Sequence, residues 1–458
     1  MRFLVLLVIA FIISLLTACN PAAETNSDNS SEATSEITFP EKAKDMVMYE
    51  VNVRQHTPEG TFKAFIPHME RIRNMGVDIL WFMPIQPIGE KNRKGELGSY
   101  YSIRDYKGIN PEFGTLEDFK EMVDKAHELG FTVIIDWVAN HTAWDHHWMT
   151  EHPDFYTTDS LGNVVSPVAD WSDVADLNYD NQDMQQEMIK DMKYWVETAN
   201  IDGFRCDVAG FVPMEFWNKA KDSLDQVKDL FMLAEWDENK MHKDAFHMTY
   251  SWGMHHRMNE IAKGHMNADS IDAFLASDRS KFQPEDFRLQ FTSNHDENSW
   301  NGTVYERFGD GAKTFAVFAS TIQGMPLLYS GMEAGLNKRL RFFDKDTIDW
   351  SNLPLEGFYK TLFELKENNE ALWNGAYGGH AKRINTEDNS GNVYAFVREK
   401  NGNQVVVIIN FTDADQSVKL DEGAPQGTFK NAFGGEMNLT SEPISLEPWG
   451  YIVLTNNQ

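Results

Sequence analysis

The stretch IDGFRCD, Ile201 to Asp207, is a short apolar run that ends on an acid. Strand alternation places Arg205 and Asp207 on one face and turns Cys206 to the other, toward covering helices. Upstream lies a helical stretch from Asp183 to Ala199, whose Met184, Met188, Met192 and Trp195 form a stripe of the kind that packs into a core far more often than it holds a cofactor. Before that comes FTVIID, Phe131 to Asp136, fed by the clearest helix in the chain: Leu116, Phe119, Met122, Val123, Ala126 and Leu129 share a face, Thr115 caps the start and Gly130 follows the end. Further out the pattern repeats. Asp45 to Gln55 and Val77 to Met83 read as strands around a helical Thr61 to Asn74. DLFMLAE (Asp229 to Glu235), FHMTYSW (Phe246 to Trp252), RLQFTSN (Arg288 to Asn294) and MPLLYSG (Met325 to Gly331) follow, with helical spacing at Met214 to Lys228 and Ala312 to Gln323. Eight strands alternating with helices predict a parallel sheet, and eight repeats favour a closed (β/α)8 TIM barrel over an open doubly wound sheet.

A barrel of this kind takes about 250 residues, so the 458 residues here leave room for more. From Asn140 to Tyr179 no helix or strand pattern is visible, and a loop of that length is usually functional. Beyond about Asn369, alternating stretches such as NVYAFVRE and QVVVIINF predict a C-terminal antiparallel β domain. The expected organisation is a signal peptide at 1–18, a flexible tether at 19–40 and the barrel at 41–365. An inserted subdomain spans about 141–179, and a β-sandwich occupies 366–458.

The N-terminus begins with Arg2 and an apolar run and ends in Leu16-Thr17-Ala18-Cys19. A short apolar segment closing on small residues is an export signal rather than a spanning helix. The net charge of -29 opposes binding to nucleic acid or, through charge, to an anionic bilayer, and leaves a neutral substrate unaffected. Cys206, the second of two cysteines, has no partner for a disulfide once Cys19 is set aside.

Active sites of such barrels lie at the C-terminal ends of the strands. Acids occupy that position four times: Asp136, Asp207, Glu235 and Asp296, the last behind His295. One acid ending an apolar strand is ordinary. Four are not, because unpaired buried charge is costly and clustered carboxylates raise one another's pKa. An ionised carboxylate beside Arg205, with a second carboxyl held protonated by its neighbours, matches double-displacement glycoside hydrolysis.

The segments DWVANH (Asp136 to His141), GFRCD (Gly203 to Asp207), LAEW (around Glu235) and FTSNHD (Phe291 to Asp296) resemble, in order, the four signature regions of the α-amylase family, glycoside hydrolase family 13. VADLN (Val174 to Asn178) resembles a fifth, and the likeness spans most of residues 45 to 350. It implies a retaining hydrolase of α-glucosidic, chiefly α-1,4, bonds in starch, maltodextrin or related α-glucans. Asp207 matches the nucleophile, Glu235 the general acid/base and Asp296 the third acid. Arg205 matches the nucleophile's partner, His141 and His295 match sugar-binding histidines, and Tyr101 an aromatic platform. Asp136 joins this substrate-binding set, and Trp144, Trp171 and Trp236 are positioned in the chain to stack on sugars, Trp144 and Trp236 foremost. His146, His147, His255 and His256 read as packing residues.

Two features depart from the family. Gly210 and Phe211 stand where lysine and histidine often contact the acceptor sugar, which leaves transglycosylation, as in a 4-α-glucanotransferase, as the alternative activity. The resemblance also implies a structural calcium ion near Asn140 and Asp176, against a reading in which Asn140 braces the loop by hydrogen bonds; no organic cofactor is implied. The Leu-Thr-Ala-Cys ending resembles a bacterial lipobox. That implies lipidation at Cys19 and an exported protein attached to a bacterial membrane by its N-terminal lipid alone. A non-catalytic sugar-binding homologue would lack one of the three acids, and a metal-dependent barrel hydrolase would need His clusters at strand ends. Neither pattern is present.

Overall fold

The computed structural model describes residues 37–387 and 390–457. The expected signal peptide, Cys19 and the tether through residue 36 lie outside the described residues. Eight parallel strands close into a barrel: β1 (Met48–Val51), β2 (Ile79–Phe82), β3 (Thr132–Trp137), β4 (Gly203–Cys206), β5 (Phe231–Ala234), β6 (Met248–Tyr250), β7 (Phe287–Phe291) and β8 (Met325–Tyr329). They neighbour one another in sequence order, and β8 closes the ring against β1. Every strand overlaps a stretch marked by apolar character, with β3 and β7 each extending one residue beyond it.

Period-two alternation builds two cores from the same strands. Ile79 and Trp81, Ile134, Phe231 and Leu233, Met248 and Tyr250, and Phe287, Leu289 and Phe291 fill the barrel interior. Leu80 and Phe82, Val133 and Ile135, Phe204 and Cys206, and Met232 and Ala234 point outward into the larger core beneath the helices. Gly203 is required where β4 meets β5, since a Cβ there would come within 1.9 Å of the Phe231 carbonyl oxygen.

The helix Leu116–Glu128 opens with a reciprocal capping box between Thr115 and Asp118, an arrangement whose loss costs about 1 kcal/mol. In the helix Gln182–Ala199 the stripe Met184, Met188, Met192 and Trp195 is fully buried, as packing requires. Between β6 and β7 the chain forms two helices, Trp252–Ala262 and Asp269–Lys281, that the sequence did not announce. Their buried apolar residues are sparse, Met254, Met258 and Ile261 on one and Ile271, Phe274 and Leu275 on the other.

The insertion after β3 corrects the expectation of a segment without strands or helices. His141–Ala143 and Val174–Asp176 pair antiparallel, with His141 opposite Asp176, and one turn of helix covers Trp148–Glu151. Three-residue strands are too short to show a period. The C-terminal domain holds a six-stranded sheet and a two-stranded ribbon of Gln416–Val418 with Ile444–Leu446. Ile384, Val406, Ile408 and Leu454 of the sheet pack with Val418 and Leu446 of the ribbon. The opposite face, with Tyr394, Phe396, Val407 and Val453, joins the barrel's outer core. No helix among the described residues is long and apolar enough to cross a membrane.

Candidate active site

Arg205 and Asp136 are direct neighbours in the β3–β4 register, and both side chains are fully buried at the barrel mouth. Arg205 Nη1 donates to both Asp136 oxygens, at 3.0 and 3.2 Å, and to Asp207 Oδ1 at 3.1 Å. Its Nη2 forms an ion pair with Glu235 Oε1 at 2.9 Å. One guanidinium, lying over the Trp81 ring, therefore gathers three carboxylates. Alternation placed Arg205 beside Asp207; the structure adds that Arg205 is shared.

That sharing decides the charges. Burial, and after it the Glu235 carboxylate, push Asp207 well above the usual carboxylate range, with Arg205 opposing. Burial likewise raises Asp136 to about 6 against the pull of Arg205 and His295. Arg205 does sit beside Asp207 and favours its charged form, as expected, but burial and Glu235 outweigh it. One cation is shared among three buried acids, and Asp136 and Asp207 are both raised in spite of it.

A second set surrounds His295. Its Nδ1 lies 2.5 Å from Glu50 Oε1, and its Nε2 lies 2.8 Å from the Tyr101 hydroxyl and 3.3 Å from Asp296 Oδ2. Burial opposes a charge on this ring, but Asp296 and Glu50 outweigh it and hold its pKa well above the ordinary value. Burial also works to raise Asp296, yet His295, Arg205 and the Trp300 indole bring it below its ordinary value. The Tyr101 hydroxyl donates to Asp136 Oδ2 at 3.1 Å, which ties the two sets together.

Asp207, Glu235 and Asp296 open into a cavity of about 630 Å³ lined also by Tyr101, His141, Trp171, Trp300, Phe342 and Phe343. Asp296, with 37 % of its side chain exposed, is the most open of the three acids. Glu235 Oε2 accepts from the Val208 backbone N–H at 2.8 Å, with Val208 held at φ +35°. That left-handed backbone is costly for a β-branched residue. Burial pushes His141 down to about 4, which leaves it neutral at ordinary pH.

Trp171 lines the cavity, whereas Trp144 and Trp236, both partly exposed, do not. The Trp144 indole donates to the Ser172 carbonyl oxygen. Trp236 packs on Phe211 and lies so close to Gly210 that a Cβ would meet its ring at 2.0 Å. Glu50, Trp300, Phe342 and Phe343 had not been singled out from sequence. Of these only Glu50 carried a signal, as a charged residue on the inward face of an apolar strand. His146 and His255 are buried packing residues, as expected, whereas His147 and His256 are exposed, which corrects the packing reading for those two.

Asn140 and Asp176 do come together: the Asn140 carbonyl accepts from the Leu177 N–H at 3.1 Å. Asp176 has no basic partner among the described residues, and burial raises its pKa. A carboxylate left without a counter-ion suits a cation, although no group of three or more His, Cys, Asp or Glu side chains among the described residues could hold a metal ion.

Two family models match the chain. The alpha amylase catalytic domain covers residues 22–163 and 168–355, and the alpha amylase C-terminal all-beta domain covers 384–453. An alpha-amylase of Haloarcula japonica is 26% identical over 436 residues, spanning 89% of this chain and 62% of the relative's own length. The crystal structure of an alpha-amylase from Lactobacillus plantarum superposes with a TM-score of 0.80 at 28% identity, covering 90% of this chain and 99% of that one. A noncanonic maltogenic alpha-amylase from Thermotoga neapolitana gives 0.82 at 29%, covering 90% and 98%.

Proposed function

The chain belongs to the alpha-amylase family and is a glycosidase, and from that premise we propose that it hydrolyses α-1,4-glucosidic bonds in starch, maltodextrin or related oligosaccharides with retention of anomeric configuration. The observation that carries this reading is the Arg205 cluster, which sets Asp207 and Glu235 side by side at the floor of a cavity that Asp296 also borders. Asp207 attacks the anomeric carbon while Glu235 passes its proton to the departing oxygen. Glu235 then takes a proton from the water that releases the sugar from Asp207. Attack requires Glu235 to carry the proton it passes on and Asp207 to be ionised against Arg205. Asp296, together with neutral His141 and charged His295, binds sugar hydroxyls, and Tyr101 stacks on the ring.

Chromatography of products from starch, maltoheptaose, pullulan, sucrose and trehalose, with proton NMR of the first anomer released, tests the reading. Maltooligosaccharides of α configuration are expected from starch and maltoheptaose. A β product, or cleavage of sucrose or trehalose alone, contradicts it. Transfer to a second sugar is the other reading. Phe211 supports it: 49% exposed and beside Trp171 and Trp236, it offers an apolar acceptor surface.

A calcium ion at Asp176 and Asn140 would hold the insertion to the barrel and supply no step of the reaction. A melting temperature lowered by chelator and restored by calcium is the expected result. Export and lipid anchoring through Cys19 complete the proposal: Cys19→Ser should move the protein out of the membrane fraction.

A further inference from the structure

We propose that Glu50 is a positioning residue that orients His295 and, through it, the Asp296 carboxylate and the Tyr101 hydroxyl that face the sugar. The inference rests on the reading of this site as a glycosidase centre. Glu50 is the third residue of β1 and is wholly buried. In the register it lies between Trp81 of β2 and Tyr329 of β8. A carboxylate in a barrel interior otherwise filled by Met48, Trp81, Leu289 and Leu327 is expensive unless it is paired. Glu50 is paired on one oxygen only: Oε1 meets His295 Nδ1 at 2.5 Å, and Oε2 is buried without a partner.

The charged and titratable groups around Glu50 come from several elements of the barrel, while β2 presents the Trp81 ring. They are Tyr329 of β8, Arg205 of β4, Tyr250 of β6, and His295 and Asp296 beyond β7. Of these only His295 bonds it directly. With Glu50 ionised, both ring nitrogens of His295 carry protons. One is given to Glu50, and the other is shared between Asp296 and the Tyr101 oxygen. Tyr101 is then obliged to donate its own proton to Asp136. A neutral ring that kept its one proton on Nδ1 would turn a lone pair toward Asp296 and draw the Tyr101 proton away from Asp136. Glu50 thus sets the direction of every bond from His295 to Asp136, although it lines no part of the cavity.

The test is Glu50→Gln, which keeps the shape and removes the charge, made in the full chain. With nitrogen-15 in the histidine rings, wild type should show His295 as an imidazolium at pH 7.5, and in the variant, where Asp296 alone still favours the charge, the ring should lose its proton at a lower pH than in wild type. Loss of a partner that orients a binding side chain lowers activity about 10- to 100-fold. The loss on maltoheptaose is expected in kcat more than in KM, with the alkaline limb of the pH profile displaced toward lower pH. A His295 that loses its proton at the same pH in variant and wild type, or a pH profile that does not move, overturns the proposal. If the variant does not fold, the wild-type spectrum decides: a neutral His295 at pH 7.5 overturns it, and a charged one upholds the pairing. The ring spectrum needs no substrate, so failure to hydrolyse any α-glucan would refute the glycosidase reading without touching this result.

Discussion

Arg205 on β4 and Asp207 directly after that strand are two residues apart in sequence and 3.1 Å apart in space, with the guanidinium wholly buried. The same guanidinium also holds Asp136 and Glu235. A lysine at 205 keeps the charge but is a point donor without the planar fork. For Arg205→Lys we expect kcat/KM to fall about 100-fold or more, roughly 3 kcal/mol, and the melting temperature to fall with it. Steady-state kinetics on maltoheptaose check this, and activity within about threefold of wild type would remove the cluster from the mechanism.

The role of Glu235 as proton donor predicts a dependence on leaving group. General acid catalysis contributes about 10²- to 10⁴-fold. Glu235→Gln should lose about that much on maltoheptaose and far less on α-glucosyl fluoride, whose leaving group needs little protonation. Equal losses on both substrates would show that Glu235 does not protonate the leaving oxygen.

Trp300 leaves 51% of its surface exposed, borders the cavity, and touches both Phe342 and the Asp296 carboxylate. Its place is set by a π-helical turn, Glu297–Asn301, directly after Asp296. Aromatic contacts of this kind are worth about 1 kcal/mol, so Trp300→Ala should raise KM for maltooligosaccharides about fivefold. An unchanged KM across chain lengths would mean that no sugar rests there.

Acid stability follows from His255, whose ring stacks on Phe291 at 4.7 Å while Arg307 Nη1 lies 3.2 Å from its Nε2. Burial, and then the Arg307 charge, push it down to about 3, against about 6.5 in an unfolded chain. Between these values the unfolded chain binds a proton that the folded one refuses. Its contribution is therefore complete above pH 6.5 and is lost as the pH falls, at about 1.4 kcal/mol per unit. From pH 7 to 5, wild type should lose about 2 kcal/mol more than His255→Gln in denaturant titrations. Parallel curves would contradict a neutral buried ring.

The barrel was legible because its strands are apolar runs closed by acids and its main helices carry continuous stripes. Asp136, Arg205, Asp207, Glu235 and His295 stood out because they end those runs. Glu50 hid inside one, flanked by Tyr49 and Val51, where only its inward parity sets it apart. Phe342 and Phe343 reach the cavity through tertiary ties that leave no period. The Leu97 N–H bonds the Phe343 carbonyl at 2.9 Å, and Arg54 Nη1 bonds both the Gly98 and Phe342 carbonyls. The sharing of Arg205 among three acids was equally out of reach, since it depends on β3, β4 and β5 meeting side by side.

A mechanism-based label tests the central claim most directly. Incubation with 5-fluoro-α-glucosyl fluoride, followed by intact and peptide mass spectrometry, should show one added fluoroglucosyl group, carried by the peptide that contains Asp207 and absent in Asp207→Asn. A label on Glu235 or Asp296 in protein that turns over α-glucans, or active protein that takes no label at all, would contradict the assignment of Asp207 as the nucleophile.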